Sequence, residues 1–273
     1  MPGRLYLCAT PIGNLGDASP RLAETLAGVD LVFAEDTRRS ATLLNALGVS
    51  VPLRSFFAGN ENQRSDEMAE ELAAGRTVAL VTDAGTPAVS DPGVLAVAAA
   101  RRVGAEVIVI PGPSAVTAAV AGSGMVEGPF VFLGFLERKG RARRNQLAEL
   151  SDEHRPAIVF MSPHRLAADL AALIEACGGE RPVCVARELT KVHEEFWWGS
   201  LAEAVQRWDG ESPRGEFTVV IAGAEPIPMT IDQAVELAKR LVGEGVPPSR
   251  AARAAAAESG LNRREIYQRI ISP

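Results

Sequence analysis

Cysteine and histidine are scarce in this chain, with three of each among 273 residues. Cys8, Cys177 and Cys184 show neither Cys-x-x-Cys nor Cys/His spacing, which excludes a structural zinc and a disulfide framework. His154, His164 and His193 leave little material for a triad, and no metal is expected. Long apolar runs are also missing. No stretch reaches the ~20 residues needed to cross a bilayer, so no membrane partner is expected. The start Met1-Pro2-Gly3-Arg4 leads straight into a strand-like run without room for a signal peptide, and the expected compartment is the cytoplasm. Three nucleotide and hydrolase signatures are absent as well: GxGxxG after the first strand, GxxxxGK[ST], and GxSxG. These absences exclude a nicotinamide or flavin Rossmann site, a P-loop NTPase and an α/β-hydrolase elbow.

What is present is an ordinary globular balance, 47% apolar and 23% charged, in a chain long enough for two domains. The net charge of −6 is unevenly spread. Residues 230–273 hold seven Lys/Arg against five Asp/Glu, which leaves −8 for the rest. A second basic cluster, Arg138-Lys139-Gly140-Arg141-Ala142-Arg143-Arg144, has five cations in seven residues. Such a run is a solvated surface unless it lies beside an active cleft.

Strand and helix signals alternate through the first part. Strands are expected at 5–9, 31–34, 53–57, 77–81 and 106–110, with helices at 39–47, 62–74 and 94–103 between them. Ser19 followed by Pro20 reads as a helix cap and first turn. The alternation predicts a mostly parallel sheet covered on both faces. Pro111-Gly112-Pro113-Ser114 punctuates the chain, placing a boundary at 112/113, with Gly128-Pro129 as the alternative. A second, partly antiparallel α/β unit follows, with strands at 130–135, 157–161, 183–187, 195–198 and 217–222. After Pro226-Ile227-Pro228 the composition turns Ala/Arg-rich, with helices at 231–242, 249–258 and 263–271. The turn Gly260-Leu261-Asn262 fits a helix-turn-helix and equally fits a small helical cap. Arg263, Arg264 and Arg269 lean it toward nucleic acid. The expected organisation is therefore 1–112, 113–225 and a helical appendage at 229–273.

The segment Asp83-Ala84-Gly85-Thr86-Pro87-Ala88-Val89-Ser90-Asp91-Pro92-Gly93 directly follows the apolar run Val78-Ala79-Leu80-Val81. In open α/β sheets, ligands bind outside the carboxyl ends of the strands. Typical strand-to-helix loops run ~2–6 residues, so this longer one is expected to floor a binding site. Two prolines stiffen it and two glycines let a ligand approach the backbone.

Further polar clusters stand at other strand ends. Their order, TPIGNL, AEDTRR, NEN, DAGTPAVSDPG, PGPSA, GF, SPHR, ARELTK and GEF, closely resembles the ribosomal RNA small subunit methyltransferase I family. The likeness runs from Leu5 to about Gly223, with the helical tail resembling the appendage of some members. It implies a tetrapyrrole-methylase fold of two α/β domains with S-adenosylmethionine in the cleft between them, usually as a homodimer. The implied reaction is 2′-O-methylation of a cytidine in 16S rRNA of the small ribosomal subunit. Carried over by motif, the cofactor contacts are Pro11, Asp83, Ala84, Gly85, Thr86, Val89, Ser114, Ala115, Met161, Ala186 and Thr218. The chain departs from the family pattern at Gly59 (often His), Met161 (often Glu) and Glu137 (usually Pro), the first two expected to line the cleft.

A ribose hydroxyl is a poor nucleophile, so a base or cation should assist its deprotonation. Asp36 is the expected base, with Arg38 and Lys191 steadying the alkoxide or gripping phosphate. Arg138, Lys139, Arg143 and Arg144, together with Arg263 and Arg264, are expected on RNA phosphates. Two rivals remain: a tetrapyrrole C-methyltransferase on the same fold, and a non-catalytic nucleic-acid-binding regulator acting through the helical tail.

Overall fold

The computed structural model describes residues 2–208, 213–225 and 229–271. Residues 1–224 form one compact unit and residues 225–273 a second. The first unit opens with five parallel strands, β1 (Arg4–Cys8), β2 (Leu31–Ala34), β3 (Leu53–Ser55), β4 (Thr77–Val81) and β5 (Glu106–Ile110), in the order β3-β2-β4-β1-β5. Central strands buried on both faces are continuously apolar rather than alternating. Leu31-Val32-Phe33-Ala34 is such a run, and all four residues are buried. The helices of this half are α1 (Pro20–Gly28), α2 (Thr37–Ala46), α3 (Glu61–Ala73) and α4 (Val94–Arg102). Ser19 caps α1 by accepting from the Leu22 N–H at 3.1 Å, with Pro20 in the first turn.

The strand order places the site. β4 and β1 are neighbours, yet β1 connects toward β2 on one side and β4 toward β5 on the other. Connections leaving in opposite directions open a crevice at the carboxyl ends of those strands.

The second sheet has the order β6-β7-β10-β8-β9, from β6 (Val131–Phe135), β7 (Ala157–Met161), β8 (Pro182–Arg187), β9 (Glu195–Ser200) and β10 (Phe217–Ile221). Only β6 and β7 run parallel; the other pairs are antiparallel. Helix α5 (Ala115–Ser123) follows β5 but packs on this second sheet. Its Val116 and Ala119 join Ile12 in a core cluster with Ile158, Cys184, Ala186 and Val220. The opposite face buries Val159, Val185, Val219 and Trp208 beneath α6 (Gly140–Asp152), α7 (Leu166–Cys177) and α8 (Leu201–Trp208). Register slips by one residue between Phe132 and Gly134, a β-bulge with Gly134 at φ +64°.

The second unit holds α9 (Ile231–Gly243), α10 (Pro248–Ser259) and α11 (Arg263–Ile271). A capping box between Thr230 and Gln233 starts α9, and Gly260 in the left-handed conformation ends α10. Five alanines, Ala234, Ala238, Ala251, Ala252 and Ala255, pack with Val235 and Ile266, so the helices close on small side chains. Pro226-Ile227-Pro228 lies outside the described residues. Among the described residues no helix is long and apolar enough to cross a membrane.

Candidate active site

Residues 82–93 leave β4 and are pinned to the loop after β1. Thr10 N–H donates to the Gly85 carbonyl at 2.8 Å and Gly85 N–H returns a bond to Thr10 at 3.1 Å. The Thr10 hydroxyl adds a bond to the Thr82 carbonyl at 3.2 Å. Gly85 sits at φ +84°, and Ala88 (φ +69°) and Ser90 (φ +64°) adopt the left-handed region without being glycine. Such conformations are costly and persist only where their surroundings impose them. Here the imposition is visible. The Ala88 N–H donates to the Pro92 carbonyl at 3.2 Å, and Glu61 accepts from the Gly93 N–H at 2.9 Å, tying the loop's end to α3. Asn60 in turn holds the Phe57 N–H at 2.8 Å and the Ser55 hydroxyl at 3.2 Å. The Asn60-Glu61 pair is thus scaffold for the loop.

This loop, the β5–α5 turn and the ends of β7 and β10 enclose a cavity of about 310 Å³. That is at the small end of ligand sites, which run ~300–1,000 Å³. One wall is apolar, from Ile12, Val116, Met161 and Phe217. Phe135 and Phe160 supply rings in an edge-to-face pair, centroids 5.5 Å apart. The lining carries four carboxyls, Glu35, Asp83 and Asp91 on the floor with Glu216 at the edge shared with a neighbouring cavity, and a single guanidinium, Arg39. Arg39 pairs with Asp83 at 3.3 Å. Burial lifts Glu35 above the ordinary carboxylate value. Burial, reinforced by the Glu35 and Asp83 charges, pushes Asp91 up to about 7. At the opposite rim α5 begins at Ser114 and Ala115, and Ser114 makes no side-chain cap bond.

A second cavity of about 250 Å³ adjoins the first and shares Ile12, Arg39, Asp83, Ala84 and Glu216 with it. Its own walls are Pro11, Gly13, Leu15 and Lys191. A Cβ on Gly13 would lie 2.5 Å from Lys191 Cγ and 2.9 Å from the Thr190 hydroxyl, so a bare backbone is needed here. The Thr190 hydroxyl is buried with no hydrogen-bond partner.

Residues 4–205 match the family model described as Tetrapyrrole (Corrin/Porphyrin) Methylases, and residues 230–272 match one described as RsmI C-terminal HTH domain. The ribosomal RNA small subunit methyltransferase I of Synechocystis sp. is 45% identical over 269 residues, 97% of this chain and 96% of the relative. The chain belongs to this methyltransferase family. A Thermotoga maritima member is 46% identical over 223 residues, which cover that whole relative and 82% of this chain. Among solved structures, a Thermus thermophilus uroporphyrin-III C-methyltransferase complexed with S-adenosylhomocysteine shares the fold. Its TM-score is 0.59 at 18% identity, over 80% of this chain and 97% of that one.

Nine of the eleven positions carried over from the family line the first cavity: Asp83, Ala84, Gly85, Thr86, Val89, Ser114, Ala115, Met161 and Thr218. Two do not. Pro11 lines the second cavity instead, and Ala186 is buried in the core in a cluster with Ile158 and Val220. Gly59 lines neither cavity; a side chain there would meet the Phe57 ring. Glu137, exposed just beyond β6, uses its carbonyl to hold Arg143 and Arg165.

The structure places the expected base, Asp36, outside both cavities. Asp36 caps α2 by accepting from the Arg38 N–H at 2.9 Å, and both its oxygens take the Arg38 guanidinium at 2.8 and 3.2 Å. The hydrogen bonds from the Arg38 side chain hold its carboxyl down to about 2. Neither Asp36 nor Arg38 lines either of these two cavities; their neighbours Glu35 and Arg39 do. Lys191 does face the second cavity, gripped by Glu188 at 2.7 Å and Glu216 at 3.1 Å. Burial alone would lower it, but these two carboxylates outweigh burial and raise it.

Arg143 is already engaged: its side chain is 16% exposed and pairs with buried Asp169 at 2.9 Å. Arg138, Lys139 and Arg144 are exposed without an ion pair among the described residues, and the first two follow cavity-lining Phe135 by only a few residues. In the second unit Arg269 is committed to Asp232 and Glu265, whereas Arg263 and Arg264 remain exposed. Sequence reasoning missed Glu35, Arg39, Asp91, Phe135 and Glu216 as site residues. All five stand inside the strand-end motifs AEDTRR, DAGTPAVSDPG, GF and GEF, but which side chain of a motif turns into the cavity is not written in local sequence.

Proposed function

We propose that the chain transfers the methyl group of S-adenosylmethionine to the ribose 2′-hydroxyl of a cytidine in 16S rRNA of the small ribosomal subunit. The observation that carries this reading is the first cavity's charge. Four carboxyls and three aromatic rings against one paired guanidinium suit a cationic ligand, since ring faces and carboxylates both attract cations. A sulfonium is such a cation. The apolar wall suits an adenosine, and the open start of α5 at Ser114 suits an amino-acid carboxylate, because helix N-termini present unpaired N–H groups. When bound, S-adenosylmethionine supplies an electrophilic methyl group, and the chain's own task is alignment.

The stiff 82–93 loop holds Ala84, Gly85 and Thr86 in place, while Asp91 takes the proton of the acceptor hydroxyl. A base is most effective when its pKa lies near the working pH, which favours Asp91 at about 7 over Asp36 at about 2. Arg138, Lys139, Arg144, Arg263 and Arg264 contact RNA phosphates. The chain acts as a homodimer in the cytoplasm, a reading supported by family resemblance; light scattering of the purified protein tests the dimer. The deciding experiment supplies labelled S-adenosylmethionine together with unmethylated 30S particles, naked 16S rRNA or a precorrin. Label on a cytidine ribose is expected. Label on the precorrin, or on neither RNA substrate, overturns the reading.

A further inference from the structure

Between the two cavities stand a cation and an anion whose hydrogen-bonding capacity is only partly used. Lys191 donates from Nζ to Glu188 and Glu216, leaving one of its three hydrogens. Glu188 is turned to the backbone: the same Oε1 also takes the Glu216 N–H at 2.9 Å, and its side chain lies against bare Gly215. Glu216 is the open member. Its side chain is 67% exposed, lines both cavities, and has Oε2 on Lys191 as its one ion pair among the described residues. An ammonium with a spare hydrogen thus stands beside a carboxylate with a spare oxygen, 3.1 Å apart. Pro11 and Leu15, the latter 51% exposed, supply apolar surface in the same cavity.

That pattern is complementary to one edge of one pyrimidine. Cytosine offers an N4 amino donor beside the N3 and O2 acceptors, whereas uracil offers an O4 acceptor beside an N3–H donor. Enzymes that act within a nucleic acid take the target nucleotide out of the stack and read its Watson–Crick edge. Carboxylates are the usual acceptors for the cytosine amino group. We propose that the second cavity receives the acceptor base, with Glu216 accepting from the cytosine N4 amino group and Lys191 donating to N3 or O2. Uracil would place O4 against the Glu216 carboxylate and N3–H against the Lys191 ammonium, unfavourable at both positions. The proposal rests on the reading that the acceptor is a cytidine. It adds where the base sits and which residues choose it.

The test uses 30S particles reconstituted with transcribed 16S rRNA carrying either cytidine or uridine at the methylated position. Full-length wild type, Glu216→Gln, Glu216→Ala and Lys191→Met are compared. Wild type is expected to favour cytidine roughly ten- to hundredfold in kcat/KM, the discrimination of one well-formed base contact. Glu216→Gln should bring the two substrates within about threefold, because an amide can accept from N4 or donate to O4. Glu216→Ala removes the acceptor altogether and should abolish the preference too. Lys191→Met should raise KM for the cytidine particle about tenfold while kcat changes less. S-adenosylhomocysteine affinity, measured by calorimetry without RNA, should fall by a smaller factor in the Glu216 variants than the cytidine preference does, although Glu216 also lines the donor cavity. Retention of the cytidine preference by both Glu216 variants overturns the proposal. So does loss of S-adenosylhomocysteine affinity with the preference intact, which would make Glu216 a donor-site residue. Absence of cytidine methylation by wild type is a separate result, and it defeats the functional reading itself.

Discussion

Two groups of buried charge in the same unit are built on opposite principles. Around Asp169, 3% exposed, two guanidiniums converge: Arg143 at 2.9 Å and Arg165 at 3.0 Å. Arg165 also donates to the Leu136 and Glu137 carbonyls. Both guanidiniums meet on Oδ1 of that carboxylate, and the cluster ties α6 and α7 to the end of β6. On the cavity floor the ratio is reversed, with Glu35, Asp83 and Asp91 sharing one guanidinium that is itself 65% exposed. A structural charge is satisfied by its own protein. A charge kept for a ligand is left in excess, held there by a scaffold such as Glu61 and the left-handed residues Ala88 and Ser90.

The contrast can be broken at either end. Asp169→Ala leaves two guanidiniums without their shared partner and should cost about 3–5 kcal/mol of stability, the usual effect of removing one member of a buried ion pair. Chemical denaturation measures it; a loss below about 1 kcal/mol would remove the distinction drawn here. Asp91→Asn should instead leave the fold intact and lower kcat about a hundredfold or more. S-adenosylhomocysteine binding, followed separately by calorimetry, should persist.

The same variant sharpens the comparison through pH. Asp91 is raised in the folded protein, so its favourable contribution is complete below about pH 4, the unfolded carboxyl value, and is lost as pH rises through about 7. Asp91→Asn should therefore melt a few degrees above wild type at pH 8 and level with it near pH 4. A melting difference independent of pH would mean that Asp91 is not held protonated. Smaller effects are expected further out. Charge reversal at Arg138, Lys139 and Arg144 should weaken 30S binding and flatten its salt dependence, whereas Arg263 and Arg264 test the second unit in the same assay. The smallest concerns Asp36. Asparagine caps helices about as well as aspartate, so Asp36→Asn should keep stability within a few tenths of a kcal/mol and turnover within a fewfold. A hundredfold loss of turnover there would restore Asp36 as the base.

Much of the fold was legible in sequence because its elements announce themselves locally. The run Leu31-Val32-Phe33-Ala34, the cap at Ser19-Pro20 and the glycine after α10 each state a boundary in adjacent residues. β2, β4, β5 and β7 fall at their expected residues. The ligand-facing loop was legible for the same reason, from length and composition. The charges were not. Asp36 and Glu35 are neighbours in a polar motif, and nothing local says that one turns onto Arg38 while the other turns into the cavity. Arg143 and Arg144 likewise differ by the 100° that separates successive residues on a helix, which sends Arg143 onto Asp169 and leaves Arg144 outside. The roles of Asp91 and Glu216 depend on strands brought together from residues more than a hundred apart.

The bulge at Gly134 has a consequence for spacing. A Cβ built there would lie 2.8 Å from the Ser90 hydroxyl, so the loop from the first sheet rests directly on bare backbone of the second. Methyl transfer needs donor and acceptor aligned in line, and displacements of about an ångström can cost a hundredfold in rate. One absent methyl group thereby serves as the gauge block of the cleft. Adding it, as in Gly134→Ala, would change the clearance between donor and acceptor without altering a single residue that touches either.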